Sequence, residues 1–194
     1  MPPLVIVGLS NPGRELEGTR HNVGAEVVSE LARRHGASKL RPIKGVPCLG
    51  TEVNIGDRRV LLAVPTTYMN DSGVAVAALV RRHKVTPAES LVVVHDELDL
   101  LPGAIQVKLG GGLAGHNGLR SIRDHLHSED FARVRIGIGK PKVSGVDHVL
   151  ARPSRSERQL LDLAVSVGSD AVESIAADSV NEAMNRFNTR AQRS

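Results

Sequence analysis

The sequence predicts a single α/β domain with a mixed central sheet that is flanked by helices on both faces. The apolar run Val5 to Leu9 and the β-branched run Leu91 to His95 are typical of strands that are buried on both sides of a sheet. Segments with apolar residues three and four positions apart, typical of helices, alternate with the strands. Because one pair of strands has the pattern of a hairpin while others are separated by helices, we expect mixed strand directions.

The size and composition of the chain suit one domain with a substantial core. The chain has 194 residues, of which 41% are hydrophobic, and no repeat or linker divides residues 1–194. No apolar run reaches the roughly eighteen residues of a membrane span, and Met1-Pro2-Pro3 leads directly into a strand pattern. We therefore expect a cytoplasmic protein with no membrane segment. The single cysteine, Cys48, excludes an internal disulfide and is expected to be a buried thiol.

The strands are predicted from β-branched runs and from alternating apolar and polar residues. The alternating pattern marks the last two strands as half-buried, and the polar turn Asn54 to Asp57 joins the hairpin. In chain order the strands are predicted at Val5 to Leu9, Cys48 to Val53, Arg59 to Val64, Leu91 to His95, Ile105 to Leu109 and Val134 to Ile138.

The helices are predicted from apolar faces and capping residues. Ser154 and Glu157 have the spacing of a capping box, and Gly36 is the expected C-cap of the first helix. The segment Gly139 to Gly145 is predicted to be a mobile basic loop, and Thr189 to Ser194 is expected to be frayed. In chain order the helices are predicted to begin near Val23, Val74, Thr86, Leu119, Ser154 and Ser179.

Two polar side chains come at or just after the ends of buried strands. Asp96 follows the strand that ends at His95, and His21 lies beyond the turn after the first strand. Strand ends meet at one edge of an open α/β sheet, so these groups can lie close together. A buried carboxylate that accepts one imidazole N–H raises the basicity of the other nitrogen. His21 is therefore the candidate general base, with a capping or surface histidine and a turn aspartate as the alternatives.

Three asparagines lie in polar turns beside glycine. They are Asn11, Asn70 and Asn117, and one such residue alone is usually a turn former. If the three turns converge, their neutral amides can hold a peptide backbone or an ester carbonyl without competing for the proton that His21 must take.

Several common site motifs are absent. The glycine loop, Gly110 to Gly118, lacks the Lys-Ser or Lys-Thr ending of a nucleoside-triphosphate site. Ser10 breaks the dinucleotide fingerprint, and Pro12 occupies a position where a nucleophile elbow needs glycine. The histidines do not follow the His-Glu-x-x-His spacing, so no metal site is expected.

The charge and the aromatic content favour a partner that is recognised through its phosphates. The net charge is +4 and the pI is about 9.6, which suits a polyanion. With one tyrosine, two phenylalanines and no tryptophan, the chain has too few rings for base stacking. Lys108, Arg133 and Arg135 alternate with core positions, so we expect their side chains on one solvated face, which is either ordinary surface or an anion site.

Five short motifs stand out by their order and spacing. They are Asn11-Pro12-Gly13, Thr19-Arg20-His21-Asn22-x-Gly24, Tyr68-Met69-Asn70-x-Ser72-Gly73, His95-Asp96-Glu97-Leu98-Asp99 and Gly115-His116-Asn117-Gly118-Leu119. Together with Arg133 to Gly139, they resemble the bacterial peptidyl-tRNA hydrolase family over nearly the whole chain. The resemblance implies a monomeric enzyme without a cofactor. It would hydrolyse the ester between a peptide, or an N-blocked aminoacyl group, and tRNA, and so recycle tRNA from stalled translation.

The resemblance also implies roles for single residues. His21 is similar to the proton acceptor that activates water, and Asp96 to the residue that stabilises its basic form. Asn11 resembles the residue that distinguishes blocked from free aminoacyl ends. Lys108 and Arg135 resemble a pair that holds the 5′ phosphate of the acceptor stem. Further substrate-binding positions are implied at Tyr68, Asn70, His116 and Asn117.

The sequence departs from the family pattern at a few positions. Leu16 stands where a substrate-contacting tyrosine is usual, so we expect weaker tRNA affinity rather than altered chemistry. Ser10 and Ala114 replace glycines, and Val64 replaces a lysine. Two other classes remain open: a catalytically silent RNA-binding relative, and a metal-dependent protease of similar topology, which would lose its activity on chelation.

Overall fold

The strands form one seven-stranded sheet in a computed structural model that describes residues 2–188. In chain order they are β1 (Leu4–Gly8), β2 (Arg41–Pro42), β3 (Cys48–Ile55), β4 (Arg58–Pro65), β5 (Leu91–Glu97), β6 (Ile105–Leu109) and β7 (Ala132–Gly137). Their order across the sheet is β2-β3-β4-β1-β5-β7-β6.

The sheet combines parallel and antiparallel pairs. β1 is parallel to β4 and to β5, and β5 is parallel to β7. β3 is antiparallel to β2 and β4, and β6 is antiparallel to β7. The predicted mixture of strand directions is confirmed. Because Gly8 pairs with Val94, the carboxyl ends of β1 and β5 lie side by side.

Helices cover both faces of the sheet, as predicted. They are α1 (Val23–Arg34), α2 (Ser72–His83), α3 (Pro87–Ser90), α4 (Asn117–Leu126), α5 (Gly145–Leu150), α6 (Arg155–Ala177) and α7 (Val180–Phe187). α1, α6 and α7 pack on one face, and α2 and α4 pack on the other. Alternate side chains of β1 enter the two cores: Leu4 and Ile6 pack in the first, and Val5 and Val7 in the second.

The start of α1 lies directly on the backbone of β1 and β5. A Cβ on Gly24 would lie 2.3 Å from the carbonyl oxygen of Val94, and a Cβ on Gly8 would lie 2.2 Å from that of Gly24. Only glycine allows this approach. It places the 3-10 turn Arg20–Asn22, which leads into α1, against the carboxyl end of β5.

Two short elements were not indicated by the sequence. The loop predicted from Gly139 to Gly145 leads into helix α5, which is only six residues long and contains no buried residue. Strand β2 consists of two exposed residues that pair with Leu49 and Gly50 of β3. Strand β7 ends at Gly137, so Ile138, which was predicted to be the last residue of this strand, lies just beyond it.

Other local expectations are confirmed. Ser154 and Glu157 form the complete capping box at the start of α6. Cys48 is buried in the core, and burial raises the pKa of its thiol to about 12. The segment Thr189 to Ser194, predicted to be frayed, lies outside the described residues. Within residues 2–188, no helix is long and apolar enough to cross a membrane.

Candidate active site

Asp96 is the centre of a cluster that joins three segments of the chain. It lies near the end of β5 and is 2% exposed. Its Oδ2 atom is 2.9 Å from Nδ1 of His21, in the turn before α1, and its Oδ1 atom is 2.7 Å from Nε2 of His116, just before α4. The structure thus brings together His21 and Asp96, which lie 75 positions apart in the sequence.

Both ring nitrogens of His116 are occupied by the protein. Its Nδ1 atom accepts N–H bonds from Gly118 at 3.1 Å and Leu119 at 3.3 Å, at the N-terminus of α4. The proton of this ring must then be on Nε2, which donates to Asp96. His116 therefore caps a helix and orients the carboxylate, and it has no nitrogen left for substrate.

His21 has one nitrogen engaged and lines a cleft. If Asp96 is ionised, the Nδ1 atom of His21 donates to it, and Nε2 carries the lone pair that can accept a proton. Burial by itself would raise the pKa of Asp96. The nearby His116, which donates a hydrogen bond to this carboxylate, and the hydrogen bond of His21 outweigh burial and hold the pKa of Asp96 well below its usual range. Asp96 is therefore an ionised acceptor near neutral pH.

A third histidine supports this cluster from inside the sheet. His95 is fully buried, its Nδ1 atom donates to the backbone carbonyl of Asp96 at 2.8 Å, and its ring meets that of His116 nearly edge-on at 5.1 Å. Burial, and next the nearby His116, lower the pKa of His95 well below its usual value, so this ring is neutral.

Asn11 is held by two residues that were not predicted as site residues: Met69 bonds to its side chain and Asn22 to its backbone. Its Oδ1 atom accepts the backbone N–H of Met69 at 2.7 Å. The amide of Asn22 bonds to both the backbone N–H and the carbonyl of Asn11, at 2.8 and 2.9 Å. Because Oδ1 already accepts the N–H of Met69, Nδ2 is the group of this amide that can donate a hydrogen bond to a substrate.

The two other predicted asparagines and Tyr68 occupy neighbouring, exposed positions. Asn117 is the first residue of α4, and Asn70 lies in the 3-10 turn Met69–Asp71. These two segments pack together at Gly118, where an added Cβ would lie 2.6 Å from Sδ of Met69. Tyr68 precedes the turn and is 63% exposed.

A cleft of about 200 Å³ opens beside the cluster. Polar groups line one part of it, and apolar residues from α5 and from the segment after β5 line the rest. The lining residues are His21, Asp96, Glu97, Leu98, Ala114, Gly115, His116, Asn117, Gly145, Val146 and Val149. A larger groove between α1 and α6 contains none of the predicted site residues. Asn11, Asn70 and Tyr68 do not line the cleft itself.

Lys108 and Arg135 lie on the adjacent strands β6 and β7, and their register puts them on one face of the sheet. The guanidinium of Arg135 is held by the protein: it pairs with Glu97, which is 4% exposed, and it donates to Oε1 of Gln106. Burial, and next the charges of Arg133 and Arg135, lower the pKa of Lys108. Lys108 therefore lies in a positive environment.

The prediction for Arg133 was wrong. It was expected on a solvated face with Lys108, its cross-strand neighbour, but it is 1% exposed. The glycine loop covers it, and its Nη2 atom donates to the carbonyls of Gly110, Gly111 and Gly112 at 2.8, 3.3 and 2.9 Å. Strand alternation identifies the face of a side chain but not whether a loop lies over that face.

The cluster also has the composition of a metal site. Ligand atoms of His21, Asp96 and His116 lie within 4.8 Å of one another, an arrangement that local spacing in the sequence did not reveal. In the described structure the nitrogens that face Asp96 make hydrogen bonds to it, so a metal ion would have to displace both. The expected absence of a metal stays a prediction.

Comparison with known proteins identifies the family. The sequence pattern of peptidyl-tRNA hydrolases matches residues 5–194 of the chain. The chain belongs to the peptidyl-tRNA hydrolase family. Among its relatives, the peptidyl-tRNA hydrolase of Cutibacterium acnes is 44% identical over 200 residues, with 97% of this chain and 99% of the relative covered. That of a Thermoanaerobacter species is 45% identical over 184 residues, with 95% and 98% covered.

Solved structures of the family have the same fold. The crystal structure of peptidyl-tRNA hydrolase from Acinetobacter baumannii matches with a TM-score of 0.90 and 38% sequence identity, covering 98% of this chain and 96% of that chain. The resemblance stated from the motifs is therefore confirmed, and so is the predicted fold class.

Proposed function

We propose that this protein hydrolyses the ester between a peptide, or an N-blocked aminoacyl group, and the 3′ end of tRNA, with His21 activating the water. One observation carries the assignment of the base. Asp96 is bound by two histidines, but His116 uses both nitrogens within the protein, whereas His21 lines the cleft with Nε2 available. Membership of the family supports the substrate class.

The proposed reaction needs one proton acceptor and one donor to the carbonyl. Water adds to the ester carbonyl as its proton passes to Nε2 of His21, and the Asp96 carboxylate stabilises the resulting imidazolium. The tetrahedral intermediate then collapses, and the bond from the carbonyl carbon to the ribose oxygen breaks. His21 returns the proton to that oxygen. The products are the free peptide acid and tRNA.

Asn11 is proposed to distinguish N-blocked from free aminoacyl groups. Its Oδ1 atom is occupied by Met69, so Nδ2 offers a hydrogen-bond donor. The carbonyl of an N-acyl group accepts such a bond. A free α-ammonium group only donates, and it would meet an unmatched donor.

The remaining proposals concern binding and organisation. Lys108 and Arg135 are proposed to hold the 5′ phosphate of the acceptor stem, while Tyr68, Asn70 and Asn117 contact tRNA or its peptide. We further propose that residues 1–194 form one domain and that the protein acts as a cytoplasmic monomer without a cofactor.

A comparison of two substrates tests the proposed function. The protein should release tRNA from N-acetyl-aminoacyl-tRNA and leave free aminoacyl-tRNA intact, at a rate that EDTA does not change. Equal turnover of both substrates would contradict the role of Asn11. Binding of tRNA without hydrolysis would indicate a silent RNA-binding protein, and loss of activity with EDTA would indicate metal-dependent chemistry. The His21→Ala variant, measured in parallel, controls for contaminating hydrolase.

A further inference from the structure

The buried Arg133 lies on β7, opposite Lys108 of β6 and two residues before Arg135. We propose that Arg133 is a positioning residue, which holds the glycine loop so that His116 stays against Asp96. The catalytic part of this inference rests on the proposed function. Arg133 touches neither the cleft nor the reacting atoms, so it would act only through the loop.

Arg133 binds the first half of the glycine loop. Three consecutive carbonyls, those of Gly110, Gly111 and Gly112, converge on its Nη2 atom. The first two of these residues have positive φ angles, 64° and 84°, which favour glycine. An added Cβ on Gly111 would lie 2.8 Å from Cε of Lys108. The loop is thus folded closely over the guanidinium.

The second half of the same loop ends in the catalytic cluster. Leu113 is buried in the core, and its carbonyl accepts the N–H of His116 at 3.0 Å. His116 then caps α4 through Nδ1 and donates to Asp96 through Nε2. A displacement of the loop would therefore reach the carboxylate that orients His21. The path from Arg133 to Asp96 runs through Leu113 and His116.

The buried environment of Arg133 is unfavourable for a charged side chain, so a role in packing alone does not explain an arginine at this position. The described residues include no ion-pair partner for it, and its Nε and Nη1 atoms are buried without hydrogen bonds within residues 2–188. Burial, and next the charge of Arg135, lower the pKa of Arg133, and the carboxylates of Glu97 and Glu129 offset this only in part. A buried cation without a paired carboxylate costs stability, and an apolar side chain of similar volume would avoid that cost. The bonds to the loop are the interactions that only a multiple N–H donor supplies.

The first test measures the loop without using the reaction. Hydrogen exchange of the amides in residues 110–118 should be faster in Arg133→Met than in the wild type, and Arg133→Lys, which keeps a donor, should restore part of the protection. Val134→Ala is the control, because Val134 is a buried neighbour on the same strand whose side chain enters the opposite core. Unchanged exchange of the loop in both folded variants of Arg133 would overturn the proposal.

The second test asks whether Arg133 acts through His116. With N-acetyl-aminoacyl-tRNA, Arg133→Met should lower kcat about 10-fold to 100-fold, with a smaller change in KM, as expected when a catalytic group is displaced. In a His116→Ala background the same substitution should cost less than about threefold, because the group it positions is gone. Equal losses in both backgrounds, or a loss confined to KM, would refute positioning through His116. A wild type without activity would instead refute the proposed function, and the exchange measurement would still decide whether Arg133 holds the loop.

Discussion

At the scale of single residues, one carboxylate orients two histidines with different tasks. Asp96 accepts N–H bonds from His21 and His116 on its two oxygens. The backbone N–H groups of α4 occupy the far nitrogen of His116, while His21, whose bond to Asp96 uses Nδ1, lines the cleft. His116 therefore caps α4 and orients Asp96, whereas His21 has a nitrogen available to act as a base. The difference arises because backbone N–H groups of the described residues bond to the ring of His116 only.

Replacement of His21 with alanine should remove catalysis and leave the fold. We expect kcat to fall about 100-fold or more, because general base catalysis contributes on that scale. KM should change little, and the thermal midpoint should shift by only a few degrees, since water from the cleft can replace the lost bond to Asp96. Steady-state kinetics and thermal unfolding measure these quantities. If the variant kept most of its activity, another group would have to activate the water.

The stability that Asp96 contributes should depend on pH. Its folded pKa lies below the ordinary value of about 3.9, so its contribution is complete above pH 5 and is lost as the pH falls towards the folded value. At pH 7, Asp96→Asn should reduce the free energy of unfolding by about 3 kcal/mol. At pH 3, the difference from the wild type should be smaller by about 1 kcal/mol. Urea unfolding of both proteins at the two pH values checks this, and a constant difference would mean that the ionised form is not favoured.

At the scale of elements, the site depends on how closely α1 approaches the sheet. The backbone contact at Gly24 sets the position of the turn that carries His21, relative to Asp96 at the end of β5. The contact at Gly118 does the same for the turn at Met69 and the start of α4. Two small residues in helices thus determine the distances between side chains that come from different elements.

Gly24→Ala should destabilise the protein although alanine favours helices. Helix propensity alone predicts a gain of about 1 kcal/mol. The added Cβ would instead lie 2.3 Å from the carbonyl oxygen of Val94 and 2.8 Å from the backbone nitrogen of Leu9. We expect a net loss of about 2 kcal/mol or more. Ser29→Ala, at an exposed position of the same helix, is the control and should change stability by less than about 0.5 kcal/mol. A stabilised Gly24→Ala variant in urea unfolding would show that α1 does not pack on β5 in this way.

At the scale of the whole molecule, a positive chain with few aromatic residues is suited to bind RNA through its phosphates. The net charge is +4, and the described positions of Lys108 and Arg135 share one face of the sheet. These two cations differ in how freely each can bind a phosphate. Arg135 neutralises the buried Glu97, so its removal would leave an unpaired carboxylate, whereas Lys108 has no ion pair with the described residues.

Lys108→Ala is therefore the cleaner test of phosphate binding. It should weaken tRNA binding and reduce the slope of log affinity against log salt by about 1, because one phosphate contact releases its counterions. Removal of the 5′ phosphate from the tRNA should weaken binding by the wild type but scarcely affect the variant. Arg59→Ala, which removes one exposed positive charge on β4, is the control for net charge. Equal losses on removal of the phosphate in wild type and variant would exclude the proposed pair.

The sequence by itself determined much of the architecture, because burial patterns are local. Continuous apolar runs located the strands β1 and β5, which are buried on both faces, period-3.6 patterns located the helices that cover them, and the capping box located the start of α6. The five ordered motifs, together with Arg133 to Gly139, were sufficient to suggest the family. The elements that were missed, β2 and α5, are two and six residues long and contain no buried residue, so each is too short for a clear periodic pattern.

Only the tertiary structure decided how the polar groups are used, because those contacts join residues that are distant in the chain. The sequence does not show that Met69 occupies the oxygen of Asn11, or that His116 is a helix cap with no free nitrogen. Nor does it show that a glycine loop covers Arg133. The alternating pattern of the strands had predicted that Arg133, like Lys108, lies on a solvated face. Alternation along a strand is a property of neighbouring residues, whereas the partners of a polar atom depend on which segments the folded core brings together.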